Sequence, residues 1–234
     1  MTFDELFVEW KAKYPFQAFI SDGIVDPSGY EEPHILFVLR DMNCDTEMDL
    51  RWHLRKYGSG WKTWNNVGRW TKALLDGDTE YPVDMSQEKR IAQVRRIAAM
   101  NLKKEGGCER ADGFKLFEAV QSQKEMILRE IEMCDPRIII ACGLTSSGID
   151  GNAVLLHDHV FDNQPKWEQF QSPNLNKEWY YFQTTINGHV VPVISFCHPQ
   201  VTSLIGLRGH DLFERLYKDM LYIRERFMGD TDGI

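Results

Sequence analysis

Residues 34–43 read His-Ile-Leu-Phe-Val-Leu-Arg-Asp-Met-Asn, an unbroken apolar run that stops at a cation, an acid and an amide. A strand with one wet face alternates; a strand buried on both faces does not. Such strands belong to sheets covered by helices on both sides, and ligands of open α/β sheets sit outside the carboxyl ends of the strands. The apolar stretch is therefore expected as the floor of a pocket. Arg40, Asp41 and Asn43 are expected as its rim.

Four further strands are expected. Residues 97–100 are Ile-Ala-Ala-Met and end at Asn101, with Lys103 and Lys104 close behind. Residues 137–143 end on a glycine. Residues 179–186 and 189–196 flank Asn187-Gly188, the strongest short hairpin signal, and the second arm runs into Cys197-His198-Pro199-Gln200. Helical spacing predicts helices between them. Thr2 and Glu5 form a capping-box pattern before a helix to about Lys13. Residues 61–75 carry Trp64, Val67, Trp70 and Leu74 on one face. Ser86 is placed to cap a helix over 87–95. Residues 114–133 and 208–228 are amphipathic, and a short helix is expected over 153–156. Residues 21–33 read as an ordered loop, 161–177 as mostly loop, and 43–60 as a long polar segment. Strands separated by helices predict a three-layer α/β/α sandwich around a mostly parallel central sheet, in a single domain over residues 1–234.

Composition narrows the function. The net charge of -8 argues against a protein that coats nucleic acid indiscriminately, although a local basic groove is compatible with it. No apolar run approaches the ~20 residues that span a bilayer, and the first residues carry no signal-peptide pattern. A cytoplasmic monomer with no membrane partner is expected. The five cysteines, Cys44, Cys108, Cys134, Cys142 and Cys197, are odd in number and widely spaced, with no CxxC pair. They read as free thiols in a reducing compartment. No metal site is expected: His157 and His159 are too few ligands and read as a solvated loop.

The polar strand ends carry the chemistry. Asp41 and Asn43, Asn101, Gly143 and His198 fall at the carboxyl ends of different strands, which is how α/β pockets are assembled. The chain has no GxGxxG, no GxxxxGK[ST] and no GxSxG. Dinucleotide binding, P-loop phosphate binding and serine-hydrolase chemistry are therefore unsupported.

In order and spacing these strand ends resemble the uracil-DNA glycosylase superfamily, over about residues 22–220. Leu39-Arg40-Asp41-Met42-Asn43 stands where that family has its first motif. Met42-Asn43 resembles the Met-Asn of the single-strand-selective branch, and Asp41 stands where other branches carry an acid. Residues 99–104 resemble the strand whose Asn reads the base. His198-Pro199-Gln200 resembles the second motif, and residues 204–209 the wedge loop after it. The resemblance implies a monofunctional DNA glycosylase that acts on DNA and leaves an abasic site. It implies that His198 donates to the base carbonyl, that Asp41 or Asn43 holds the water, and that Asn101 reads the base edge. Arg40, Trp61 and Trp64 would help to hold the base, although Trp64 reads equally as helix core. Leu204 or Leu207 would fill the gap left by the flipped base, although both read equally as packing for the last helix. Arg208, Lys103 and Lys104 would hold the DNA backbone, with Arg51, Arg55 and Lys56 as further candidates.

The departures point to the substrate. Cys44-Asp45 replaces the usual Pro-Gly, Gln200 replaces Ser, and the clustered cysteines of the iron–sulfur branches are missing. No cofactor is expected. The polar stretch 43–60 reads as an expanded pocket lip, which suits a damaged or bulky modified base such as a modified cytosine of phage DNA, an enzyme of phage defence, with uracil as the other substrate. The alternative is a non-catalytic nucleic-acid or nucleotide-binding module on the same fold.

Overall fold

The computed structural model describes residues 1–58, 61–106, 113–144, 151–161 and 165–229. The chain opens with helix α1 (Phe3–Lys13), followed by short strands β1 (Ile20–Ser21) and β2 (Gly23–Ile24). Next come β3 (Ile35–Leu39), β4 (Met48–Asp49), α2 (Leu50–Tyr57), α3 (Lys62–Asp76), α4 (Gln87–Val94) and β5 (Ala98–Asn101). α5 (Gly113–Cys134), β6 (Ile138–Leu144) and α6 (Asn152–Leu155) follow, with a π turn over Leu156–Val160. The last elements are β7 (Glu168–Gln171), β8 (Glu178–Ile186), β9 (His189–Cys197), β10 (Ser203–Leu204), β11 (Leu207–Arg208) and α7 (Gly209–Phe227).

A seven-stranded sheet runs β2-β5-β3-β6-β9-β8-β7. Its centre, β5-β3-β6-β9, is parallel, while β2 and β8 join antiparallel on either side and β7 pairs antiparallel with β8. β3 is enclosed as its apolar run requires: Val38 pairs with Met100 on one side and Ala141 on the other. Ile35, Phe37 and Leu39 pack into one core with α2, α3 and α7. Leu36 and Val38 pack into the other with α1, α5 and α6. The three-layer α/β/α arrangement follows. The chain leaves β3 toward β5 and later returns to β6 on the other side, so the strand order reverses between β3 and β6. Ligand crevices form at such reversals.

The local signals hold at several ends. Thr2 and Glu5 close the capping box of α1. Ser86 Oγ accepts the Lys89 N–H at the start of α4. Asn187 and Gly188 take φ of 48° and 82° in the β8–β9 turn, the left-handed pair that a tight hairpin needs. Other expectations are corrected. The polar segment after Asn43 holds a helix that the sequence did not show: Asp49 caps α2 through the Trp52 N–H at 3.0 Å, and Leu50 and Leu54 bury one narrow stripe. Two apolar positions are too few to show as a helical period. β7 was hidden in an expected loop because only Phe170 of its four residues is buried.

No helix among the described residues is long and apolar enough to cross a membrane. Cys44, Cys134, Cys142 and Cys197 are free thiols; Cys108 lies outside the described residues.

Candidate active site

The carboxyl ends of β3, β5, β6 and β9 share one edge of the sheet. Beyond β3 and β5 the chain stays paired for two more residues: the Leu102 N–H donates to Leu39 O at 3.0 Å and the Lys103 N–H to Arg40 O at 2.9 Å. This sets Lys103 beside Arg40 and Asp41. At β6, Gly143 takes φ of +155°, and a Cβ there would meet the Asn152 amide at 3.1 Å. That space lets buried Asn152 donate to the carbonyls of Val38 and Cys142, tying β3 to β6 at the crevice.

His198 follows β9 in a tight turn, with its carbonyl accepting from the Val201 N–H. The Gln200 N–H donates to His198 Nδ1 at 3.1 Å. A ring nitrogen that accepts carries no proton, so the neutral ring holds its proton on Nε2. Burial pushes the His198 pKa down, and the Arg40 charge pushes it the same way. The turn is braced from behind: buried Asn66 of α3 donates to Pro199 O at 2.6 Å, and Arg69 donates to Asn66 Oδ1.

Asp41 is half-buried. Burial raises its pKa, and the cations of Lys103 and Arg40 pull it back only in part. Arg40 Nε is buried and has no hydrogen-bond partner among the described residues. An unused buried donor beside a carboxylate and an imidazole is a place for a ligand acceptor. Asn43 is exposed, at the centre of a tight turn closed by the Cys44 N–H on Met42 O.

No protein-family model matches this chain. No curated protein matches it either.

The remaining expected residues divide. Trp61 is exposed at the start of α3 and stacks on His53, ring centroids 4.7 Å apart. Arg208 is exposed at the start of α7. Trp64 is only 3% exposed and belongs to the core under α3, so it does not face a ligand. Lys104 is corrected outright: it is 0% exposed and paired with Asp22 and Glu130, so it cannot reach a phosphate. Asn101 is 2% exposed. Its backbone and side-chain N–H groups both donate to Asp22 Oδ2, at 2.7 and 3.0 Å. Its amide is turned into a structural link rather than toward an incoming base. Leu204 and Leu207 are partly buried against the core. The residue at the tip of that hairpin is Ile205, 46% exposed.

Ile205, Asn66 and Asp22 were missed. Ile205 has φ of 50°, a strained conformation for a β-branched side chain; the Ile205-Gly206 pair was its sequence signal. His157 is no free ligand, since one ring nitrogen meets Asp158 and the other Pro165 O. Glu32, His34 and Asp135 cluster at the opposite, amino end of the strands, where Arg137 already pairs with both acids.

Proposed function

We propose that the chain is a monofunctional DNA glycosylase that takes a base out of the stack and hydrolyses its N-glycosidic bond. The observation that carries this reading is the Gln200 N–H on His198 Nδ1. It leaves a neutral Nε2–H donor at the edge of the sheet that also carries Asp41.

Breaking the C1′–N bond sends its electron pair onto the base and leaves an oxocarbenium-like sugar. Preorganised donors aimed at the departing base are the main assistance a protein can give. His198 donates from Nε2 to a base carbonyl, where negative charge gathers. The unused Nε–H of Arg40 is a second donor for the same charge. Asp41 orients a water on the sugar side; its oxygen bonds to C1′ and its proton passes to the carboxylate. Asp41 suits this task better than Asn43, because it is the acidic and more sheltered of the two. The product is an abasic site and a free base. Uracil and a bulky modified cytosine of phage DNA remain the two substrate classes, the second placing the enzyme in phage defence. Ile205 is the apolar group for the vacated space in the duplex, with Arg208 and Lys103 for phosphates.

The test is base release from oligonucleotides carrying uracil, hypoxanthine or modified cytosines, read by alkali cleavage on a gel and by mass spectrometry of the released base. Asp41→Ala and His198→Ala should each lower the rate at least a hundredfold. Full activity in both variants sinks the site. DNA affinity without release from any substrate, phage DNA included, favours the binding-module reading.

A further inference from the structure

Residues 50–75 contain no acidic residue. They carry Arg51, Arg55, Lys56, Lys62, Arg69 and Lys72 in a chain whose net charge is -8. Arg51 and Lys72 are paired with acids outside the run. Arg55 and Arg69 instead donate to backbone carbonyls. Arg55 also lies near the carboxylates of Asp26 and Asp49, which leaves Lys56, Lys62 and Arg69 without an ion pair among the described residues. The stretch is a positive island on an acidic protein.

The same stretch carries aromatic side chains at the surface. Trp52, Tyr57 and Trp61 are 48%, 40% and 40% exposed, while Trp10, Trp64, Trp70 and Trp179 are buried. They form one continuous group. His53 stacks on Trp61 with planes 9° apart and lies 5.1 Å from Tyr57, and Tyr57 meets Trp52 edge-on at 5.8 Å. The Lys56 ammonium sits over both Trp52 and Tyr57, 4.7 and 5.1 Å from their centroids. Each ring is thus held in place by a neighbour and still meets solvent. Leu50 and Leu54 fix the other side of α2 into the core, so the platform rests on a rigid element.

We propose that this face of α2 and the start of α3 binds a single strand of DNA, with unpaired bases stacked on Trp52, Tyr57 and Trp61 and the phosphates beside Lys56 and Lys62. Aromatic faces with interleaved cations are what unpaired strands require: each free base offers a π-face and each linkage a charge. A duplex keeps its base faces inside the stack and offers only the charge. The platform also leads to the pocket. Trp61 precedes Asn66 by about 7.5 Å along a helix axis, and Asn66 braces the turn of His198. The choice of DNA rests on the glycosylase reading; the binding itself does not depend on base release.

The experiment is fluorescence anisotropy with a labelled oligothymidylate of about 12 nucleotides, a length within the span of such grooves, compared with its duplex and with the ribonucleotide. The full chain should bind the DNA single strand more tightly than either. Trp52→Ala and Tyr57→Ala should each weaken it roughly tenfold, and Trp52→Phe should restore most of the loss. Lys56→Ala should flatten the salt dependence by about 0.7 in log–log slope. Circular dichroism should be unchanged, since these side chains lie outside the core. No binding by the parent, equal affinity for duplex, tighter binding of the ribonucleotide, or a Trp52→Ala/Tyr57→Ala protein within about twofold of the parent would each overturn the proposal. Platform-dependent binding without base release would sink the glycosylase reading and leave this one standing; base release with platform-independent binding would do the reverse.

Discussion

Asn66 of α3 donates to the carbonyl of Pro199 at 2.6 Å in a buried setting, and so couples a helix of one layer to the turn that carries His198. Asn66 touches no reacting atom; it positions one. Asn66→Ala leaves a buried carbonyl without a donor, which costs about 1–3 kcal/mol, and releases the turn. The expected outcome is a fall in kcat of tenfold or more with a smaller change in KM. Asn66→Asp should not rescue, because a carboxylate cannot donate. Steady-state kinetics with a thermal melt for each variant check this. Equal loss in kcat and in folded fraction would reduce Asn66 to a stability residue.

The acid limb of activity should belong to Asp41. Burial raises its pKa, so the carboxylate form is lost on acidification at a higher pH than for an unshifted aspartate. Lys103 opposes that shift; Lys103→Ala should move the acid limb to still higher pH. His198 is pushed toward the neutral form by burial and by Arg40. Neutral donation therefore needs no proton that is lost near neutrality, and no alkaline limb is expected there. A pH–kcat profile of the parent and Lys103→Ala checks both signs. An alkaline limb that vanishes in His198→Gln would mean that His198 works as a cation instead.

The layers and the sheet edge were legible because burial writes long patterns. The unbroken run of β3 and the periodic faces of α3, α5 and α7 needed no tertiary information. Asn187-Gly188 marked its hairpin for a local reason: few other residues adopt that backbone. What could not be read is where a polar side chain turns once its strand has ended. Lys104 looks like any surface lysine beside Lys103, yet one is buried and the other is not. The difference lies in Asp22 and Glu130, more than 20 residues away on either side in the chain. Glu130 did leave a trace, since it lies on the inner face of α5 between Ile127 and Cys134. A polar partner for its carboxyl had to lie somewhere in the core.

The β10–β11 hairpin places Ile205 at its tip with φ of 50° and Gly206 at 76°. A β-branched residue in the left-handed region is strained, by about 1–3 kcal/mol. Ile205→Gly relieves that strain, so the variant should be as stable as the parent or more so. It also deletes the apolar group offered to the duplex. Base release from duplex substrate should fall several-fold relative to release from the same sequence as a single strand, where no gap needs filling. The measurement is the duplex-to-single-strand ratio of kcat/KM alongside a urea melt. An unchanged ratio with raised stability would show that the strain serves only the turn.

Lys104 is enclosed with two carboxyl groups, Asp22 and Glu130, and lies 5.2 Å from the Trp10 ring centroid. One cation and two carboxylates would leave a buried net charge; a proton on Glu130 removes it. In keeping with this, burial drives the Glu130 pKa far above the usual carboxylate range, against the pull of Lys104. Lys104→Met strands Asp22 without its cation and should destabilise the fold by about 3–5 kcal/mol. Glu130→Gln keeps a neutral, hydrogen-bonding side chain and should cost about 1 kcal/mol or less. The sign of the pH dependence follows. The folded protein holds a proton on Glu130 that the unfolded chain gives up, so this contribution is complete below the ordinary carboxylate pKa and is lost as pH rises toward the raised one. Urea unfolding at several pH values from about 5 to 8 should show the parent losing stability relative to Glu130→Gln as pH rises. Asp22 also receives both N–H groups of Asn101, so Lys104→Met should disturb the pocket edge as well as the core. Parallel pH curves for the parent and Glu130→Gln would show that Glu130 is ionised in the folded state.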